Sequence, residues 1–485
     1  MSDFKDQLIH GTIYIAIAKY SGIIIQIVIS AILARLLTPA DYGVIGIASV
    51  FIVFFSVLSN VGIGPAVIQR KDLTDNDLDN IFSFTCCLGF ILSTFFFVSS
   101  WFIADFYDQD ILSPVCKWLS LLILSSCVQT VSLNLLYKEK KFRFVAYQSL
   151  LVGTVCGLLA ILAALAGWGV YALVCSQVAS AVFSTMIYLI KHPRRLHFRI
   201  DIEPLKKIFT YSSFNFLASI NNFFILNLDK LLIGKFIGPV GLGHYEKSYR
   251  LMFMPIQNIT LVVEPVLHPL FSEIQNNYEE VAQKYLALLK RLGLVSFMIS
   301  AFCFFSAKEL ILLLFGYQWV PAIEPFRIMS LSIGLQMLTM TTGALCNSVN
   351  ATKLSFYGSL IAGIVMALSF VIALFEWGTI ISVAYAFLIS NIIAGLIGFA
   401  LLFNHLHCSF IKFLGSLKVS LLWSLILAVG LWCADKYLSW VPILFLLTIK
   451  VAVFTILISM AARIVFDFNV VEFIVTKLKA IYGEK

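Results

Sequence analysis

The chain has 485 residues, 60% of them hydrophobic and only 12% charged, with a net charge of +8. Soluble domains run at roughly 45–50% and 25%, so a chain this apolar cannot hide its surface from water, and its solvent is lipid. The basic balance does not indicate nucleic acid, because Lys and Arg stand between apolar runs, where orientation signals belong. Most of the ten cysteines lie inside apolar runs and none forms a CxxC pair, which excludes a disulfide framework and leaves no metal or redox centre to expect.

A bilayer core takes about 20 apolar residues per helix. In chain order the spans read Thr12–Ala34, Gly43–Ala66, Ile81–Ala104, Val115–Leu136, Val145–Ala166 and Val170–Ile190. A basic segment, 191–209, follows. The next six are Thr210–Phe236, Leu251–Phe271, Leu288–Phe315, Phe326–Val349, Leu354–Phe375 and Ile380–Phe403. Phe413–Cys433 and Val441–Val465 complete the series within 404–466. The tail, 467–485, sets Val471, Ile474, Val475, Leu478 and Ile481 on one helical face, the pattern of a short amphipathic helix lying on the membrane. The expectation is all-α: a polytopic membrane protein of about fourteen helices. Met1 to Gly11 lacks a secretory signal, so the first span is expected to stay in the mature protein.

Most of the 34 Lys and Arg fall on one side if the N-terminus is cytoplasmic and the spans alternate. Both termini are then inside, and the acidic loop with Asp105, Asp108 and Asp110 is outside. The longest connection on that side is expected to run from Lys235 to Arg250. The basic segment 191–209 separates an N-lobe, 1–190, from a C-lobe, 210–403.

The lobes look related. Arg35, Pro39 and Gly43 recur as Lys235, Pro239 and Gly243, at an offset of 200. Six spans per lobe is an even number, so the copies run parallel, around an axis along the membrane normal. This gives two parallel six-helix lobes around a central cavity, plus two C-terminal helices.

The first span of each lobe carries a polar line at helical spacing. In the first it is Thr12, Lys19, Gln26 and Ser30; in the seventh it is Ser212, Asn215, Ser219, Asn222 and Asp229. Ser and Thr in such lines serve as interhelical glue. Lys19 is different, because a cation deep in hydrocarbon costs a few kcal/mol on insertion scales and usually faces water or a partner. Asp229 and Lys230 are adjacent and point about 100° apart, so they pair elsewhere or Lys230 snorkels. Span eight places Gln257, Asn258, Glu264 and His268 among Pro255, Pro265 and Pro269. Repeated prolines break the backbone ladder and often mark bent or gating helices. Two readings of Glu264 stand: a proton or cation coupling site, shared with Asp229, or a carboxylate near the inner headgroups. No Walker A loop, HExxH or GxSxG occurs, so no catalytic residue and no cofactor is expected, and the chain is not read as an enzyme.

The stretch Ala34-Arg35-Leu36-Leu37-Thr38-Pro39-Ala40-Asp41-Tyr42-Gly43, followed by Asn60-Val61-Gly62-Ile63-Gly64-Pro65-Ala66-Val67-Ile68-Gln69-Arg70, resembles the start of bacterial polysaccharide flippases of the Wzx type. These belong to the multidrug/oligosaccharidyl-lipid/polysaccharide exporter superfamily. Asn227-Leu228-Asp229-Lys230-Leu231-Leu232-Ile233-Gly234 and Phe315-Gly316 with Trp319 look like the same family, as does the pattern of six, six and two spans. The nearest subgroup moves colanic-acid or O-antigen repeat units. The resemblance implies translocation of an undecaprenyl-pyrophosphate-linked oligosaccharide across the bacterial inner membrane, with contact to polysaccharide polymerase and export machinery. A pyrophosphate needs cations, which Lys19, Arg35, Lys230, Lys247 and Arg250 offer. Sugars need hydrogen-bonding groups, which Gln26, Asn215, Asn222, Gln257 and Asn258 offer. Two other functions are weighed against this one. A drug or cation antiporter of the same superfamily calls for an acidic or aromatic cavity, whereas Lys19 makes this one basic. A membrane glycan polymerase calls for a large outer loop or clustered acids and arginines.

Overall fold

The computed structural model describes residues 21–59, 63–70, 72–197 and 213–466. Lys19, the start of the first span, residues 198–209 of the basic linker and the amphipathic tail 467–485 lie outside them. Among the described residues all regular structure is helical. The chain packs as two compact units, Met1–Gly243 and His244–Lys485. This is a division by packing, whereas the lobes read above divide the chain by repeat.

The first unit contains α1 (Ser21–Leu36), α2 (Pro39–Ser59), α3 (Ile63–Gln69), α4 (Asp75–Tyr107), α5 (Leu112–Lys138), α6 (Phe142–Leu165), α7 (Val170–Lys191), α8 (Ser213–Phe236) and the opening turn of α9 (Pro239–Ser272). Local chemistry fixes where several begin. At α2 the Thr38 amide and hydroxyl both donate to Asp41 Oδ2, at 2.9 and 2.7 Å, and the Asp41 amide returns a bond of 3.3 Å to Thr38 Oγ1. This capping box satisfies amides that have no partner inside the helix, and Pro39 occupies the first helical position, where its missing N–H costs nothing. Thr74 and Asp77 form the same box at α4.

The helices of this unit are joined by polar contacts buried from water and by close steric approach. Ser93 Oγ donates to Ser120 O at 2.8 Å, joining α4 to α5, and Tyr188 OH donates to Gln148 Oε1 at 2.6 Å, joining α7 to α6. Each hydroxyl is satisfied without water, as a helix interface in lipid requires. An apolar cluster around Ile63, Val67, Ile81, Phe82 and Val131 packs α3 against α4 and α5.

The second unit continues through α10 (Tyr278–Phe305), α11 (Ala307–Leu314), a 3₁₀ turn (Tyr317–Ala322), α12 (Ile323–Ser330), α13 (Ile333–Ser348), α14 (Thr352–Glu376), α15 (Ile380–His405), α16 (Phe410–Tyr437) and α17 (Ile443–Phe466). Tyr285 OH and Thr341 Oγ1 share a hydrogen bond of 2.8 Å between α10 and α13. Leu294 and Met298 of α10 pack on Leu427, Leu431 and Ala461 of α16 and α17.

Among the described residues, ten helices are long and apolar enough to cross a membrane: α2, α4 to α7, α10 and α14 to α17. The pair Tyr317–Ser330 and Ile333–Ser348, bent by 56°, makes an eleventh if it is one span. Exposed Trp101, Trp118, Trp168, Trp377 and Trp440 stand near helix ends or in turns, the positions of an interfacial aromatic belt. The chain is a multi-pass membrane protein.

Three expectations are corrected. The long connection from Lys235 to Arg250 does not exist: α8 ends at Phe236, α9 starts at Pro239, and Ile237 and Gly238 alone join them. Gly238 at φ 90° reverses the chain. The polar residues Glu246, Lys247 and Arg250, which lower hydropathy, are already inside α9. The expected ninth span, Leu288–Phe315, begins ten residues earlier in α10, at Tyr278, and is interrupted at Ser306, before α11 begins at Ala307. The expected tenth span is the bent pair, whose 3₁₀ portion contains Pro321.

Candidate functional site

Among the longer described helices, α8 and α9 are not apolar enough to count as spans, and α1, whose described part is short, is apolar. These carry every described candidate residue. On α1, Gln26 and Arg35 are exposed, Arg35 in the last turn. On α8, Asn215 stands in the first turn and Asn222 is exposed. Asp229 is buried and accepts the Lys230 amide on Oδ1 at 2.8 Å, and Lys230 is half-buried. These six belong to the first unit.

The other five are on the α9 residues of the second unit. Arg250, Gln257 and Glu264 are exposed. Asn258 is half-buried and donates to Met254 O of its own helix at 2.9 Å. Lys247 differs from the other candidate cations. It is 2% exposed, with Nζ 4.9 Å from the centre of the Phe315 ring and 5.5 Å from that of Trp319. The negative faces of the two rings take part of the stabilisation that water would give. The Phe315-Gly316 and Trp319 residues singled out in the sequence are thus the seat of this lysine.

An exposed amide or guanidinium on an apolar helix has to face water, headgroups or a partner, since lipid tails offer no hydrogen bonds. The exposed groups Gln26, Arg35, Asn222, Arg250 and Gln257 together offer cations and amides, the groups that bind phosphate and sugar. Among the described residues no group of three or more His, Cys, Asp and Glu is arranged to hold a metal.

Sequence reasoning missed one buried cluster. Lys450 of α17 is 0% exposed, with Nζ 2.6 Å from Asp435 Oδ1 of α16 and 3.1 Å from Glu309 Oε2 of α11. Its ammonium also donates to Phe305 O of α10 at 2.7 Å. A lysine in the middle of an apolar span is itself the signal for such a cluster. Its partners were not legible, because Glu309 is distant in sequence and Asp435, at the end of the preceding helix, reads as a loop-side carboxylate.

The chain matches the family described as "Polysaccharide biosynthesis protein" over residues 32–324. It is 26% identical over 403 residues to the teichuronic acid biosynthesis protein TuaB of Bacillus subtilis (strain 168), covering 82% of this chain and 83% of that one. It is 24% identical over 362 residues to the lipopolysaccharide biosynthesis protein WzxC of Escherichia coli (strain K12), covering 73% and 72%. Its fold is that of the lipid II flippase MurJ in an inward closed conformation, with a TM-score of 0.71 at 16% identity over 93% of this chain and 99% of that one. A multidrug resistance MATE family transporter of the MOP superfamily, inward-facing, gives 0.59 at 19% identity over 80% and 94%. These structural neighbours are a flippase and a transporter, not enzymes. The family match spans more than half of the sequence, and the chain belongs to the polysaccharide biosynthesis protein family.

Proposed function

We propose that this chain carries an undecaprenyl-pyrophosphate-linked oligosaccharide repeat unit from the inner to the outer leaflet of the bacterial inner membrane, by alternating access. The observation that carries the reading is that α1, α8 and α9 expose cations and amides along their length. The family match and the fold shared with a lipid II flippase support a lipid-linked cargo. Arg35, Lys230 and Arg250, with Lys19 and Lys247, contact the pyrophosphate in this reading. Gln26, Asn215, Asn222, Gln257 and Asn258 contact the sugars, and Asp229 and Glu264 are candidates for ion coupling. The lipid tail stays in the bilayer.

The full architecture belongs to the same proposal: fourteen spans with both termini cytoplasmic, two parallel six-helix lobes, 1–190 and 210–403, and two C-terminal helices within 404–466. The offset-200 pattern of Arg35 and Lys235, Pro39 and Pro239, supports the repeat. Reporter fusions after Arg143 and Arg199 should read cytoplasmic and one after Asp110 external; an external signal at Arg199 overturns the alternating map.

The functional test is glycan display in a strain lacking its own flippase, with abundance followed by blot. The wild-type chain should restore display of the glycan whose assembly genes accompany it, and its failure at normal abundance overturns the function. Lys19→Ala should impair display at unchanged abundance, and Lys19→Arg should keep part of it, since charge survives while geometry changes. Full display with Lys19→Ala removes Lys19 from the pathway.

A further inference from the structure

Four cations gather where α5 turns into α6 and where α7 ends. Lys140 and Lys141 lie in the turn, Arg143 is in the first turn of α6, and Lys191 closes α7. Lys191 Nζ stands 5.7 Å from the centre of the Phe144 ring, which sets the end of α7 beside the start of α6. Glu139 is close by, but its carboxylate is already taken by Lys141 Nζ at 2.6 Å and His192 Nε2 at 3.1 Å. Lys140, Arg143 and Lys191 are exposed, and among the described residues no carboxylate pairs with any of them. Lys140 has φ 58°, the left-handed region where glycine is the usual residue after a helix. A residue with a Cβ is strained there. A lysine at such a position does nothing for the turn; its charge is what it adds.

Apolar surface borders these cations. Phe142 and Ile190 are 52% and 81% exposed. Below Arg143 the exposed side chains Tyr147, Leu151, Val155, Leu158 and Leu162 run the length of α6, spaced by three or four residues, so they share a face. That face is not the one that meets α1. A Cβ added at Gly157 would lie 2.5 Å from Ile29 Cδ1, and one at Gly22 would lie 3.4 Å from Leu150 Cδ1, so α6 meets α1 through Leu150 and Gly157. At 3.6 residues per turn the exposed face is centred about a quarter-turn away, toward the bilayer and off the polar residues of α1. An orientation signal needs only enough cations in a connection. It does not need them brought together from two helices, with the nearby acid already used. Free cations at the end of a long apolar face match an amphiphile with an anionic head.

We propose that the α5–α6 turn and the end of α7 bind the phosphate headgroup of an anionic phospholipid, whose chains lie along the exposed face of α6. Arg143 and Lys191 take the phosphate, and Lys140 adds charge from the turn. The bound lipid fastens the start of α6 to the end of α7. The leaflet is the inner one by the orientation reading above, and the test separates the site from that reading.

The full chain in detergent is titrated with phosphatidylglycerol, or with phosphatidylcholine of the same chains, and bound copies are counted by native mass spectrometry. Phosphatidylglycerol should bind more tightly than phosphatidylcholine, and the preference should fall as salt rises. Arg143→Gln with Lys191→Gln should weaken phosphatidylglycerol about tenfold, the scale of two interfacial cations. Lys140→Gly should weaken it several-fold and leave the lipid-free melting temperature unchanged or higher, since glycine accepts the left-handed turn. Lys284→Gln, which removes an exposed lysine paired with Glu280, should leave binding as it is. Equal affinity for the two phospholipids, or undiminished affinity in the variants, overturns the site. If the double variant does not fold, Lys140→Gly decides. Excess undecaprenyl phosphate should leave the phosphatidylglycerol bound; its displacement would give these cations to the cargo and overturn the phospholipid site. Binding in detergent has no sides, so a site that responds in a chain whose reporter after Arg143 reads external would overturn the orientation and leave the site standing.

Discussion

Lys450 and the polar residues of α1 and α8 are two answers to the same difficulty, polarity inside a membrane protein. Lys450 is sealed from solvent, with two carboxylates and a backbone carbonyl on its ammonium, and it ties α17 to α16, α11 and α10. Gln26 and Asn222 are exposed on α1 and α8. A buried charge surrounded by opposite charges joins helices. An exposed polar group on a membrane helix still has its hydrogen bonds to give. The comparison teaches that charge alone does not mark a functional group in this protein, since the charged Lys450 is built into the scaffold while the uncharged Gln26 and Asn222 are left open.

The largest effect should come from breaking the sealed cluster. Lys450→Met leaves Glu309, whose side chain is 5% exposed, with its carboxylate facing no cation. Removing one partner of a buried pair costs about 3–5 kcal/mol. The variant should lose most of its membrane abundance and its thermal stability in detergent. Adding Glu309→Gln and Asp435→Asn should recover much of the loss, because a neutral cluster needs no counter-charge. A single variant as stable as the parent would show that the cluster does not hold α17.

The opposite pattern should follow on the exposed side. Asn222→Ala and Gln26→Ala should leave abundance unchanged and reduce glycan display several-fold, each removing hydrogen bonds offered to sugar. Equal loss of abundance and display would move these residues into the scaffold class. Blot and display assays on the same cells separate the two outcomes.

Much of this was legible in the sequence, and the failures have physical causes. The apolar runs gave the all-helical class, because about 20 apolar residues in a row have few alternatives. Thr38-Pro39-Ala40-Asp41 marks a helix start by chemistry alone, and α2 begins there. Hydropathy failed where a helix carries polar residues. It deferred the start of the eighth span to Leu251, although α9 begins at Pro239, because Glu246, Lys247 and Arg250 look like loop residues until their places are known. Lys247 could be marked as a cation from sequence, but not its seat over Phe315 and Trp319, which are about seventy residues away in the chain. The close approach of Gly43 to Pro239 and of Gly243 to Pro39 was visible as a repeat and not as a touch, because an offset says that two places are alike and nothing about whether they meet.

The smallest effect should come from a charge that is already in water. Glu139 sits in the turn between α5 and α6, its carboxylate 2.6 Å from Lys141 Nζ and 3.1 Å from His192 Nε2. The hydrogen bond from Lys141 is the main cause that holds the carboxyl below its ordinary value; slight burial opposes it and His192 adds to it. A carboxyl lowered on folding contributes stability above its unfolded value, roughly 4.3 for Glu, and loses it as the pH falls through the folded value. Glu139→Gln should therefore cost only about 0.5 kcal/mol near neutral pH, the scale of an exposed ion pair. The difference from the parent should vanish in acid and shrink in high salt, where the Debye length falls to about 3 Å at 1 M. Thermal melts of the purified protein in detergent at two pH values and two salt concentrations check this. A loss as large as that of Lys450→Met would mean that exposure does not set the worth of a charge here, and the contrast between sealed and open polar groups would lose its basis.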